Sequence, residues 1–327
     1  ARPQGEACGG AGVRVRVAGG ARSGGLLLEA PEQGGGGAAP ALQVGGADVV
    51  DLAKAPLSQE LPRGRDRGRS PVVEPDEGLG LAALLGLIAL VVIANIGAER
   101  RLYVTDLGMA VGVLTGAGDH FMAGGDVKGM HEYLGTASES EIQAYFVNRI
   151  HDLHPIMYSM RRMPKPIIAK VRGAAAGAGV SMAAACDMVI SEESAFYTLA
   201  YVHIGTTPDA SSSFHLPRAV GIKKAMEMTM LGDRHTAQQM ADAGLVNFVV
   251  PDAELDAETD KLATRLANGP TFVLGQGKRL MYRSLENAFE SQLQFEAECF
   301  AECARREDYR EGVNAFVEKR KARFTGK

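Results

Sequence analysis

The stretch Gly173–Asp187, GAAAGAGVSMAAACD, decides how this chain is read. Alanine and glycine fill ten of its fifteen positions, and Ser181 is the one hydroxyl among them. Residues this small let another backbone or a ligand come close to the chain, and they do so here at a predicted helix start. PIIAKVRG (Pro166–Gly173) before the stretch reads as a buried strand, and ACDMVISEESAFY (Ala185–Tyr197) after it as a further strand and a turn. Strand, glycine-rich turn, helix and strand make a βαβ unit.

The same order recurs on either side. Upstream, MAVGVLTG (Met109–Gly116) is a buried strand ending in glycine, and AGDHFMAGGDVKGM (Ala117–Met130) is a glycine-rich loop running into a helix. ESEIQAYFVNRIHDLHPIMYSMRRM (Glu139–Met163) carries apolar residues at helical spacing and is expected as one helix, stopped by Pro164 and Pro166. Downstream come helices at Lys223–Gly232 and Thr236–Gly244, a short strand in NFVVP (Asn247–Pro251), and a helical tail from Asp252 to Arg323. The pattern predicts an α/β fold with a parallel sheet.

The chain changes character near residue 100. Before it glycine, alanine, arginine and proline dominate, and Lys54 is the only lysine. GGARSGG, EQGGGGAAP and LPRGRDRGRSP read as linker, so residues 1–78 are expected to be low-complexity and irregular. No apolar core follows the arginines of this region, so it does not read as a secretory signal. The uncharged segment Leu79–Ile96 approaches the roughly 20 residues a membrane span requires. The α/β pattern behind it favours a buried helix and strand, and no membrane partner is expected.

At 327 residues, 46% hydrophobic and 23% charged, the composition is that of a soluble globular protein. A net charge of −4 gives no support to nucleic-acid binding as the main role, and no nucleic-acid partner is expected. Cys8, Cys186, Cys299 and Cys303 are too scattered for a disulfide framework and point to free thiols in the cytoplasm. Cys299 and Cys303 share a helix face, but two ligands do not make a metal site.

Two glycine-rich turns follow strands and open helices: AGGD (Ala123–Asp126) and AGAG (Ala176–Gly179). Each presents free N–H groups at a helix N-terminus. Two such donors converging on one oxygen form an oxyanion hole for a thioester enolate or a tetrahedral adduct. Neither turn has the full dinucleotide-binding context.

LTGAGDHFMAGGDVKGM, PKPIIAKVRGAAAGAGVSMAAACDMVI, AYVHIGTTPDASSSFHLPRAVG, GLVNFVVP and GVNAFVEKRKARF, in this order and spacing, resemble the crotonase (enoyl-CoA hydratase/isomerase) superfamily. The resemblance covers about residues 102–327. It implies a spiral of ββα repeats within 79–265, a C-terminal helical trimerisation region at 266–327, and a trimer or a hexamer built as a dimer of trimers. It implies an acyl-CoA thioester as substrate, with coenzyme A entering as part of that substrate and no separate cofactor. The family's first hairpin, which helps bind coenzyme A in relatives, is not found in residues 1–100.

Carried over position by position, the resemblance puts the oxyanion N–H groups at Gly125 and Ala178. Ala123, Asp126 and Lys128 fall on the coenzyme A side, and Met130, Ser181, Tyr201 and His203 at the acyl pocket. Lys319 or Arg320 lies where relatives reach a phosphate. The two glutamates of hydratases align with Ser181 and Tyr201, neither of which has a carboxylate. Asp209 stands where double-bond isomerases of the family carry their aspartate, and His154 where its dehalogenases carry a histidine. The leading expectation is an enoyl-CoA isomerase with Asp209 as proton shuttle. The alternatives are a hydratase, a hydrolytic enzyme pairing His154 with Asp209, and a catalytically weak CoA-binding protein. Away from the family, Asp209 reads as a turn or capping aspartate.

Overall fold

A computed structural model describes residues 13–19, 109–116 and 118–327. Val13–Gly19 (β1) runs antiparallel to Met109–Gly116 (β2), with Val15 opposite Leu114. A strand therefore stands inside the stretch expected to be irregular. Its VRVRV alternation is a period-two pattern, which the composition-based reading passed over. The rest of residues 1–78 and the apolar stretch at 79–96 lie outside the described residues.

β2 pairs in parallel with Ile167–Val171 (β3), β3 with Met188–Glu192 (β5), and β5 with Phe248–Val250 (β8), giving the order β1-β2-β3-β5-β8. Ala174–Ala176 (β4), Phe196–Thr198 (β6) and His235–Thr236 (β7) form a second, smaller sheet, β4 parallel to β6 and β6 antiparallel to β7. β3 runs through Arg172 and Gly173 into β4, and β5 turns into β6, so consecutive strand pairs contribute one strand to each sheet. This is the expected ββα spiral.

Helices Val127–Leu134 (α1), Glu139–His151 (α2) and His154–Arg162 (α3) fill the connection from β2 to β3. The single helix expected over 139–163 is thus two. Pro155 lacks the N–H that would bond the carbonyl of His151, so the helix ends there and α3 restarts with proline in its first turn. Ala178–Ala185 (α4) follows β4 and is almost wholly buried. Ser212–Leu231 (α5) is kinked at Gly221, and Ala237–Asp242 (α6) precedes β8. Leu255–Ala267 (α7), Thr271–Ser284 (α8), Phe289–Ala304 (α9) and Glu307–Val317 (α10) make up the helical C-terminal region.

One apolar cluster joins β3, α3, α4 and α5 through Ile156, Met160, Val171, Val180, Ala183, Leu216 and Met228; a second lies between the large sheet and α7, from Val111, Ile168 and Ile190 to Leu255. A buried ion pair ties the C-terminal region to the core. Lys278 Nζ donates to Asp187 Oδ2 at 2.7 Å and to the carbonyls of Met160 and Lys165, while Asp187 also accepts from the Ile167 N–H and the Tyr282 hydroxyl. Burial pushes the Asp187 carboxyl up and Lys278 pulls it back. The thiols of Cys186, Cys299 and Cys303 are free.

Candidate active site

The bare stretch is bare because two segments of backbone meet there. Residues 120–122 run beside 172–176: the Phe121 N–H donates to the Arg172 carbonyl, Met122 N–H to Ala174, and Ala176 N–H back to Met122. His120 Nδ1 accepts from the Ala174 N–H at 3.1 Å, and the buried Glu192 carboxylate accepts from the Gly173 N–H at 2.7 Å. A Cβ on Gly179 would sit 2.5 Å from the Met122 carbonyl oxygen, so α4 starts against that loop only because residue 179 is glycine. Gly177, at φ 53°, supplies the left-handed turn into α4.

This packing brings the two glycine-rich turns side by side. A Cβ on Gly177 would lie 3.7 Å from the Gly124 Cα. Ala178 is the first residue of α4, and Gly125 directly precedes Asp126, the cap of α1. Among the described residues neither the Gly125 nor the Ala178 N–H has an acceptor. Both are unspent donors beside helix N-termini, the arrangement that holds an oxyanion.

Tyr201 opens a short 3-10 turn after Ala200, which is left-handed at φ 47°. Its ring carbon Cζ lies 3.8 Å from the point where a Gly177 Cβ would stand. Its hydroxyl donates to Asp209 Oδ1 at 2.5 Å, so the carboxylate sits beside the start of α4. Burial pushes the Asp209 carboxyl above its ordinary range, and the Tyr201 hydrogen bond draws it partly back. Burial and the neighbouring Asp209 charge push the Tyr201 phenol upward, keeping it a neutral donor.

The remaining positions are distributed as follows. Ser181 is fully buried with its Oγ 3.5 Å from the Gly177 carbonyl, behind the turn rather than on an open wall. Met130 Cε stands 3.2 Å from where a Gly125 Cβ would be, beside that turn. Ala123, Asp126 and Lys128 are exposed, and Asp126 spends Oδ1 on the Gly129 N–H. His203 Nε2 is 3.0 Å from the Gly232 carbonyl at the end of α5, engaged there. His154 makes no hydrogen bond to Asp209, and its ring neighbours are His151 and the exposed Tyr158. Arg320 is engaged by Glu311 and Glu318.

Reading the sequence did not find the Tyr201–Asp209 bond, nor the roles of His120, Glu192 and Lys278. Tyr201 and Asp209 stand eight positions apart, a spacing with no local periodicity to flag it. No group of three potential metal ligands occurs among the described residues, and no helix among them is long and apolar enough to cross a membrane.

Residues 103–327 match the family model described as enoyl-CoA hydratase/isomerase. The chain is 37% identical over 216 residues to a 1,2-epoxyphenylacetyl-CoA isomerase of Escherichia coli, covering 66% of this chain and 80% of that protein. It is 36% identical over 215 residues to a probable enoyl-CoA hydratase of Rhodobacter capsulatus, with the same coverage. A crystal structure of an enoyl-CoA hydratase from Polaromonas sp. JS666 superposes with a TM-score of 0.61 at 34% identity, covering 66% of this chain and 82% of that one.

Proposed function

This chain belongs to the enoyl-CoA hydratase/isomerase family, and we propose that within it the reaction is a double-bond shift in an enoyl-CoA, with Asp209 as the proton shuttle. That it is an acyl-CoA enzyme of the hydratase/isomerase type is common ground for its relatives. The choice of isomerisation is supported by one observation, that the carboxylate beside the paired turns is Asp209; the resemblance aligns Ser181 and Tyr201 with the hydratase glutamates.

In this mechanism the thioester oxygen sits between the N–H groups of Gly125 and Ala178. Asp209 takes a proton from one carbon, breaking the C–H bond. The electron pair moves into a dienolate whose negative charge rests on the thioester oxygen, and the two amides stabilise it. Asp209 then returns the proton two carbons away, so one carboxylate serves as base and then as acid. The reaction needs no group beyond the acyl-CoA. A carboxyl raised by burial is a stronger base than one in water, which favours removal of a carbon-bound proton.

Hydration needs a second acid or base to handle water, and the positions that supply it in hydratases offer a buried hydroxyl and a neutral phenol. No hydrogen bond joins His154 to Asp209 to support hydrolysis through that pair. The exposed apolar row Ile222, Met226 and Met230 on α5 supports assembly as a homotrimer or a hexamer.

The test is an assay of the wild type and of Asp209→Asn on a panel of enoyl-CoA thioesters, following both the shifted double bond and any 3-hydroxyacyl product. Isomerisation is expected to fall by about 10²–10⁴-fold in Asp209→Asn. Isomerase activity surviving in that variant, or hydration as the main reaction of the wild type, overturns the reading.

A further inference from the structure

We propose that Tyr201 is a positioning residue: its phenol clamps one oxygen of Asp209 and leaves the other as the single oxygen that can meet the substrate. The inference rests on the isomerase reading above and adds to it the group that makes one carboxylate sufficient.

Geometry carries it. The Tyr201 hydroxyl donates to Asp209 Oδ1, and no other side chain among the described residues donates to this carboxylate. The clamp is itself fixed. Tyr201 is 9% exposed, its turn is entered through left-handed Ala200, and its backbone N–H and carbonyl are bonded to the Leu199 carbonyl and the Thr206 N–H. On the other side, Ser212 braces the Asp209 backbone, its N–H and its hydroxyl each 3.0 Å from the Asp209 carbonyl. Left-handed Ala210 (φ 47°) and Ser211 (φ 65°) turn the chain there. Two strained turns thus face each other across one hydrogen bond.

On this account a residue that the resemblance aligns with a hydratase glutamate, Tyr201, orients the remaining carboxylate. With Oδ1 occupied, a proton taken from carbon resides on Oδ2 and is delivered from the same side it came from.

The test is Tyr201→Phe, which keeps the ring and removes only the hydroxyl. A kcat lower by about 10–100-fold with KM changed less than about threefold is expected, as for a catalytic group released from its alignment. The acid limb of the kcat profile is expected to move to higher pH by about half a unit or more, because a bond that favours the carboxylate is gone. A role in packing alone lowers the melting temperature and leaves that limb in place. Wild-type kcat and an unmoved limb in Tyr201→Phe, with Asp209→Asn inactive, overturn the clamp and leave the isomerase reading intact. Where Tyr201→Phe does not fold, an unmoved limb in protein carrying 3-fluorotyrosine, a stronger phenol donor, in place of tyrosine does so. An active Asp209→Asn overturns the isomerase reading itself.

Discussion

Replacing Lys278 with methionine removes the charge that sits against Asp187 and keeps most of the side-chain volume. Lys278 is 6% exposed at its side chain and Asp187 16%, so neither charge has water to fall back on. At an effective dielectric of 20, unit charges 2.7 Å apart attract by roughly 6 kcal/mol, and the desolvation of both ions offsets most of that. In the variant only the Ile167 N–H and the Tyr282 hydroxyl still offset the desolvation of Asp187, a loss of about 3–5 kcal/mol by analogy with other broken buried pairs.

Protonation sets a ceiling on that loss. Placing a proton on a carboxyl whose unfolded pKa is about 3.9 costs about 1.36 kcal/mol per pH unit above that value, or roughly 4 kcal/mol at pH 7 and 1.5 kcal/mol at pH 5. The carbonyls of Met160 and Lys165 each lose a donor, adding about 1 kcal/mol apiece at every pH. The sign follows. With Lys278 gone the folded pKa of Asp187 lies well above the unfolded one, so the penalty vanishes below the unfolded pKa and grows as pH rises toward the folded one. Urea unfolding at fixed protein concentration is expected to show Lys278→Met destabilised about 2–3 kcal/mol more at pH 7 than at pH 5. Asp187→Asn combined with Lys278→Met is expected to remove that pH dependence. A loss below about 1 kcal/mol at pH 7, or one equal at the two pH values, refutes the reasoning.

Two further variants address the turns. Ala178→Pro removes one proposed oxyanion donor at the first position of α4, where proline is tolerated. Its kcat is expected to fall by about 10²–10³-fold with the fold intact by circular dichroism, and a loss under about tenfold counts against the hole. Gly179→Ala forces a Cβ to within 2.5 Å of the Met122 carbonyl, so loop and helix must part. A loss of about 1–3 kcal/mol in unfolding, accompanied by lost activity, is expected; unchanged stability would mean the loop yields freely.

How much of this was legible in the sequence varies by element. The α/β order, the parallel sheet and both glycine-rich turns were readable because hydrophobic periodicity and glycine are local signals. The split at Pro155 was readable in principle, since proline lacks a donor wherever it stands, but the apolar spacing of Glu139–Met163 spoke louder. Strand β1 was hidden by a composition that resembles linker. His154 and Asp209 were joined by analogy, and the fold gives His154 other neighbours.

The sequence by itself determined which backbone is bare, and therefore where two amide donors can be left unspent. It also determined that residues 181 and 201 are serine and tyrosine, side chains without a carboxylate. Tertiary structure decided the surroundings of Asp209. A carboxylate acquires a raised pKa, a clamped oxygen and a position beside α4 only when a 3-10 turn, a left-handed pair and a helix N-terminus are packed together. Burial and a 2.5 Å bond between residues eight apart are properties of that packing, and no residue spacing encodes them.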